Sequence, residues 1–272
     1  MLSVLIPASN EEGYIGACLA ALFASRGVSG QAIVIANGCR DRTAEVARAA
    51  LPDAVARGWD LVVIDRAQGS KPAALNVGDS AAAHPVRVYL DADVIVSPGL
   101  MASLSRSLSV QAPRYASGTP RIPQPRSVVS RAYARFWQGL PFNQTIAPGY
   151  GLFAVNAAGR ARWGEFPAII SDDTYVRLQF LPDERVQVPD TYDWPMIEGF
   201  AALTRVRRRQ DAGVRELDQH YPGLLVREGK PPLTKSALAA MALRDPAGFA
   251  TYAAISLMVR LRRGGPQFTR GR

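Results

Sequence analysis

The stretch VRVYLDADVIV, residues 86–96, decides how the rest of the chain is read. Six of its eleven residues are Val, Ile or Leu, as in a strand buried on both faces. It also carries two carboxylates, Asp91 and Asp93, one residue apart. Residues two apart on a strand project to the same side. Two like charges on one side of a buried element repel each other and are costly to desolvate. Such a stretch is tolerable where the strand leaves the core and a counter-charge meets the acids.

Working outward, the same pattern repeats. Residues 2–7 (LSVLIP), 31–36 (QAIVIA) and 61–65 (LVVID) read as strands, with residues 86–91 as the fourth. Helical stretches separate them. Ser9 to Glu12 fits a capping box before a helix with Ile15, Cys18, Leu19, Leu22 and Phe23 on one face. Asp41 is the expected N-cap of a helix over about residues 42–50, and Pro72 lies near the first turn of another. Pro98 opens a further helix. This alternation predicts an α/β fold with a mostly parallel, Rossmann-like sheet and helices on both faces. Binding sites in such sheets lie at the carboxyl ends of the strands, so Asp91 and Asp93 border a crevice. All-oxygen ligation there suits a hard divalent cation, Mg²⁺ or Mn²⁺, that completes its shell with the phosphates of a nucleoside diphosphate. The competing reading is a pair of turn or helix-cap acids.

The 272 residues carry a net charge of +9. Between Asp93 and Glu165 there is no acid, while eight arginines fall in that span; after Asp245 there is again none. Such asymmetry favours an anionic partner: nucleotide phosphates, a phospholipid surface or nucleic acid. The plainer reading is solvated surface charge. Met1 leads directly into a strand, without the basic and small-residue marks of a signal peptide. Cys18 on a helix face and Cys39 in a turn do not suggest a disulfide. A cytoplasmic location is expected.

Several segments now combine. VLIPASNEEGYIGACLAAL, VIANGCRDRTAEVA, GSKPAALNVG and VYLDADVIV stand in the order and separations of the inverting family 2 glycosyltransferases of the GT-A fold, which the chain resembles. The likeness covers residues 1 to about 100, resumes at ISDDTYVRLQF and fades after about residue 210. It implies a nucleotide-sugar donor, a UDP-sugar first, whose base and ribose lie along Pro7, Ala8 and the residues up to Glu11. It further implies that Lys71 contacts the nucleotide or its phosphates, with Asn76 supporting that loop. Asp91 would sit near ribose and metal, and Asp93 would be the direct metal ligand. Asp172-Asp173 resembles the pair that supplies the catalytic base, Asp173 as base and Asp172 as its support. The alternative is an acidic helix N-terminus favoured by the dipole. Where the family commonly has two acids, Ala36-Asn37-Gly38 stands, which leaves the base open: Asn37 could accept or donate. In PGYGLFAVNAAGRARWGEFP, Tyr150, Phe153, Trp163 and Phe166 are either sugar platforms or core. TRVRRRQ partly resembles the Gln/Arg-x-x-Arg-Trp motif of processive members through Arg205 and Arg208, with Arg209 in place of the Trp.

The expected organisation is a glycosyltransferase domain over 1–200 and a helical, basic extension over 201–272. Residues 247–259 (AGFATYAAISLMV) form 13 uncharged residues beside Arg260, Arg262 and Arg263. That is short of the ~20 needed to cross a bilayer. It reads as an interfacial helix on an anionic membrane, at the inner face of the plasma membrane, or as a helix packed on the domain. His220 is a weaker candidate to complete a metal shell. Function is expected to be non-processive sugar transfer to a glycan or lipid-linked acceptor in surface glycan or glycolipid synthesis, with no nucleic-acid partner. Nucleotidyl transfer would want basic residues in the loop after the first strand, and PASNEEGYIG has none. A non-catalytic, basic membrane-binding protein with a transferase-like fold is the third reading.

Overall fold

The computed structural model describes residues 1–261. Four strands, β1 (Leu2–Ala8), β2 (Gly30–Asn37), β3 (Asp60–Arg66) and β4 (Val86–Leu90), fall where the hydrophobic runs place them. β5 (Ile95–Val96), β6 (Tyr115–Arg121), β7 (Leu152–Val155) and β8 (Arg185–Asp193) follow. Together they form one eight-stranded sheet in the order β3-β2-β1-β4-β7-β6-β8-β5. β1 pairs parallel with β2 and β4, and β2 parallel with β3. Beyond β4 the sheet is mixed: β7 runs antiparallel to β4 and β6, β8 parallel to β6, and β5 antiparallel to β8.

The helices are α1 (Ile15–Phe23), α2 (Thr43–Ala49), α3 (Leu51–Ala56), α4 (Lys71–Ala81), α5 (Leu100–Ser107) and α6 (Val128–Gln138). They continue as α7 (Ala157–Arg160), α8 (Asp172–Arg177), α9 (Phe200–His220), α10 (Lys235–Arg244) and α11 (Pro246–Leu261). They cover both faces because β1 alternates. Leu2, Val4 and Ile6 pack with Cys18, Leu22 and Leu104 of α1 and α5. Leu5 points the other way, to Leu75 of α4, Val176 of α8 and Leu217 of α9. Chain order turns back between β1 and β4, so a crevice opens at their carboxyl ends, Ala8 and Leu90.

Local structure corrects three expectations. β4 stops at Leu90, and Asp91 and Asp93 lie beyond it in a turn closed by Val94 N–H to Asp91 O at 3.1 Å. The two acids are therefore not on one face of a strand, and the burial problem raised by residues 86–96 disappears. The capping box does not form either. α1 starts at Ile15, and Glu12 instead accepts from Arg42 N–H at 3.0 Å while its own N–H donates to Asp41 at 3.1 Å. The acid ties two neighbouring loops because Asn10, at φ 57°, turns the chain before a helix can start. Asp41 is not the N-cap of α2, which is Arg42; it stands two residues before Thr43, where its carboxylate accepts from Thr43 N–H at 3.1 Å.

Towards the C-terminus, α11 packs one face on α6 and α9, burying Gly248, Ile255 and Val259. Tyr252 stacks on Tyr133 at 5.7 Å. Of the two readings of residues 247–259, packing on the domain holds for that face; the opposite face leaves Leu257 and Leu261 57% and 69% exposed. Among the described residues no helix is long and apolar enough to cross a membrane. Arg262, Arg263, Arg270 and Arg272 lie outside the described residues.

Candidate active site

The crevice is a cleft of about 1050 Å³. Its first wall is the end of β1 and the loop after it: Pro7, Ala8, Asn10, Glu11 and Tyr14 line it, with Asn37 from β2. Asn37 is 5% exposed, and its amide oxygen accepts from Ser70 N–H at 2.9 Å and from the Arg66 guanidinium at 3.3 Å. The same contact fixes the start of α4. Ser70 caps that helix by accepting from Ala73 N–H at 3.4 Å, which sets Lys71 as the first helical residue. Gly38 makes the junction possible: it has φ +61°, and a Cβ there would lie 2.6 Å from Gly69 N.

Lys71 joins the two carboxylate pairs. Its Nζ lies 3.1 Å from Asp91 Oδ1 and 3.4 Å from Asp172 Oδ2. Burial pulls the ammonium towards neutrality, but the Asp172, Asp91 and Asp173 carboxylates outweigh it and hold Lys71 well above its ordinary value. Asp172 is 4% exposed, and its Oδ2 has no hydrogen bond. Burial raises its carboxyl above the usual range, Lys71 opposes this, and the Asp173 and Asp91 charges add to it. Asp173, next along α8, is half-buried and faces the cleft; one oxygen accepts from Thr174 N–H at 2.6 Å. Both acids line the cleft, and Asp172 is the more deeply buried of the two.

Asp91 and Asp93 both line the cleft. Asp91 is anchored by its N–H to Gly151 O at 2.9 Å. Among the described residues no three His, Cys, Asp or Glu side chains come together to hold a metal. Two carboxylates lining one cleft suit Mg²⁺ or Mn²⁺, which takes one or two carboxylates and fills its shell from substrate phosphate. The donor set therefore fits a cation that arrives with a diphosphate.

Three expected residues stand elsewhere. Asn76 does not support the Lys71 loop: its amide clamps the backbone of Phe166, donating to the carbonyl at 3.3 Å and accepting from the N–H at 2.7 Å. Its place on α4 turns it away from the cleft. Arg208 does not line the cleft, whereas Arg205, Arg207 and Arg209 of α9 do, because helical spacing puts residue 208 on another face. His220 closes α9 with Nδ1 2.9 Å from Glu216 O, is exposed, and does not line the cleft that Asp91 and Asp93 line. Of the aromatics, Tyr150 lines the cleft, and Phe153, Trp163 and Phe166 are core. Sequence reasoning missed Trp137 and Trp194, which line the cleft beside Tyr150. The only signal was their rarity, four Trp in the chain.

A sequence profile of glycosyl transferase family 2 matches residues 3–159. Among solved structures, the mannosyltransferase PcManGT from Pyrobaculum calidifontis, in complex with GDP-Man and Mn²⁺, is similar at TM-score 0.63 and 19% identity, over 97% of this chain and 76% of that one. TarS from S. aureus in complex with UDP-GlcNAc is similar at 0.56 and 12%, over 96% and 91%. Glucosyl-3-phosphoglycerate synthase from Mycobacterium tuberculosis, with Mn²⁺, UDP and glucosyl-3-phosphoglycerate, is similar at 0.52 and 20%, over 85% and 81%. At these identities the likeness is one of fold. No curated protein matches the sequence.

Proposed function

The chain belongs to glycosyl transferase family 2, and from that premise we propose that it moves one sugar from a nucleoside-diphosphate sugar to an acceptor hydroxyl with inversion. The observation that carries this reading is Lys71, which brings Asp91 of the strand-end pair and Asp172 of the helix pair to one ammonium in one cleft. The donor half and the base half of a glycosyl transfer site then share a wall.

The nucleoside lies along Pro7, Ala8 and Glu11. Asn37, whose oxygen already serves Ser70 and Arg66, offers its amide nitrogen to a carbonyl of the base. UDP-sugars are the first donors to try. Asp91 and Asp93 would hold a divalent cation, which would supply positive charge against that building on the departing diphosphate. The acceptor oxygen attacks the anomeric carbon opposite the diphosphate. The bond from that carbon to the phosphate oxygen breaks, and the acceptor's proton passes to Asp173. Asp172, pinned by Lys71, keeps the start of α8 in place. Product would be released after one transfer and would enter surface glycan or glycolipid synthesis. Leu243, Leu257 and Leu261 are exposed close to Arg244 and Arg260, which supports a peripheral contact with an anionic membrane.

Incubation with labelled UDP- and GDP-sugars, with and without Mn²⁺, tests the reading. Cation-dependent release of nucleoside diphosphate is expected for one donor; no release with any donor would overturn it.

A further inference from the structure

A second part of the cleft lining is built from other side chains. Trp137, Tyr150 and Trp194 form an aromatic wall, with ring centroids 5.3 Å (Trp137–Tyr150), 5.8 Å (Trp137–Trp194) and 4.7 Å (Tyr150–Trp194) apart. Met196, Ile197 and Leu203 extend it. Arg205 and Arg209 line the same part from α9. They stand four residues apart and so on one face of the helix. Arg205 is exposed. Arg207, between them, is held by Asp211 at 2.9 Å and by the hydroxyls of Tyr133 and Tyr252 at 3.3 and 3.2 Å.

The chemistry of this lining is selective. A neutral oligosaccharide has hydroxyls that donate as well as accept, so its site needs acceptors, in practice carboxylates and carboxamides, besides an aromatic platform. Among the described cleft residues from 194 to 210 there is no Asp, Glu or Asn, and Gln210 supplies the carboxamide. Charge here is cationic, and a guanidinium matches a phosphate bidentately. The rest of the lining is aromatic, with partly exposed Ile197 and, at 8% and 3% exposed, Met196 and Leu203 of the core, which favours an apolar chain. The cleft of about 1050 Å³ lies at the upper end for a small-molecule site. That leaves room beside a nucleotide sugar.

We infer that this part binds an amphiphilic phosphate: an acceptor whose hydroxyl-bearing head is joined through phosphate or diphosphate to an apolar chain. The apolar chain lies on the Trp137–Trp194 wall, the phosphate meets Arg205 and Arg209, and the hydroxyl points back to Asp173. This rests on the glycosyl transfer reading and names its acceptor class. The sugar moves as already written, with the proton on Asp173 and nucleoside diphosphate leaving, so the acceptor's own phosphate linkage stays intact.

The test uses the full chain and its tryptophan emission, since Trp59 and Trp163 are buried in the core and Trp137 and Trp194 face the cleft. Farnesyl phosphate, titrated below its micelle concentration, should quench saturably. Farnesol, inorganic phosphate and maltotriose should each bind at least tenfold more weakly. Arg205→Gln and Trp194→Phe should each raise the farnesyl phosphate Kd about tenfold. Binding of UDP or GDP with Mn²⁺, measured on the same samples by calorimetry, should stay within twofold. Arg205 is exposed, so its variant keeps the test open if Trp194→Phe folds poorly. Maltotriose binding as tightly as farnesyl phosphate would overturn the inference. So would an Arg205→Gln effect confined to the nucleotide, or equal quenching by phosphatidylglycerol vesicles that Arg205→Gln leaves unchanged. Nucleotide binding without farnesyl phosphate binding overturns the acceptor class alone; absence of both overturns the transferase reading as well.

Discussion

Asp172→Asn should make the protein more stable at pH 8 and leave it unchanged near pH 3.5. Asp172 is 4% exposed, and its Oδ2 lacks a hydrogen bond. Burial, only partly offset by Lys71, lifts its carboxyl from 3.8 to about 6. The folded state thus holds this proton more tightly than the unfolded chain does. Its favourable contribution is fully present below about pH 4 and is lost as pH rises through about 6. Above that window the ionised group costs roughly 3 kcal/mol, at about 1.4 kcal/mol per pH unit of displacement. Asn imitates the protonated form. Lys71 then loses one partner, but Asp91 remains 3.1 Å away. The ammonium is therefore not stranded, which keeps the change out of the class where breaking a buried pair costs several kcal/mol. A net gain of about 1–2 kcal/mol follows, or roughly 3–6 °C in Tm for a chain of this size. Thermal unfolding of both proteins from pH 3.5 to 8 is the assay. A variant less stable than wild type at pH 8, or a difference that does not change with pH, would refute the reasoning.

Asp173→Asn should lower kcat by roughly 10²- to 10⁴-fold, with the donor Kd within a few-fold of wild type by calorimetry; transfer near the wild-type rate would move the base to another group. Asp93→Asn should weaken nucleoside diphosphate binding in Mn²⁺ but not in chelator, and an equal loss in both would remove the cation from the account. Gly38→Ala puts a side chain at φ +61° against Gly69. It should cost about 1–3 kcal/mol, seen as a Tm lower by a few degrees together with weaker nucleotide binding, because Asn37, Ser70 and Lys71 shift together. An unchanged melting curve would show that the loop has room to relax.

How far the sequence could be read depended on whether a signal was local. The runs at 2–7, 31–36 and 86–91 were visible because a strand buried on both faces must be apolar throughout, and 61–65 because the half-buried edge strand β3 is apolar as well; each is found within a residue or two. β6 and β8 were not visible: Gly118, Pro120 and Pro189 break their pattern, and a register shift lies between Ser117 and Thr119. The acids Asp91, Asp93, Asp172 and Asp173 drew attention as pairs. That Lys71 would bridge them was not legible, because 20 residues separate it from Asp91 and 101 from Asp172, and only the return of the chain past β1 brings them together. The capping box at Ser9–Glu12 misled because a fitting local motif lost to tertiary contacts with Asp41 and Arg42. Asn76 misled in the same way, its amide being drawn to a backbone 90 residues away. The Trp137–Trp194 wall joins side chains from two distant segments, and no spacing rule reaches that far.

The central claim is that one cleft holds both halves of a glycosyl transfer site. A crystal structure with Mn²⁺ and a UDP-sugar, with anomalous data at the manganese edge, tests it most directly. The account predicts a manganese peak bounded by Asp91, Asp93 and the diphosphate, with the nucleoside along Pro7, Ala8 and Glu11 and the sugar towards Asp173. A manganese peak away from the two strand-end acids, or a nucleotide bound outside this cleft, would contradict it.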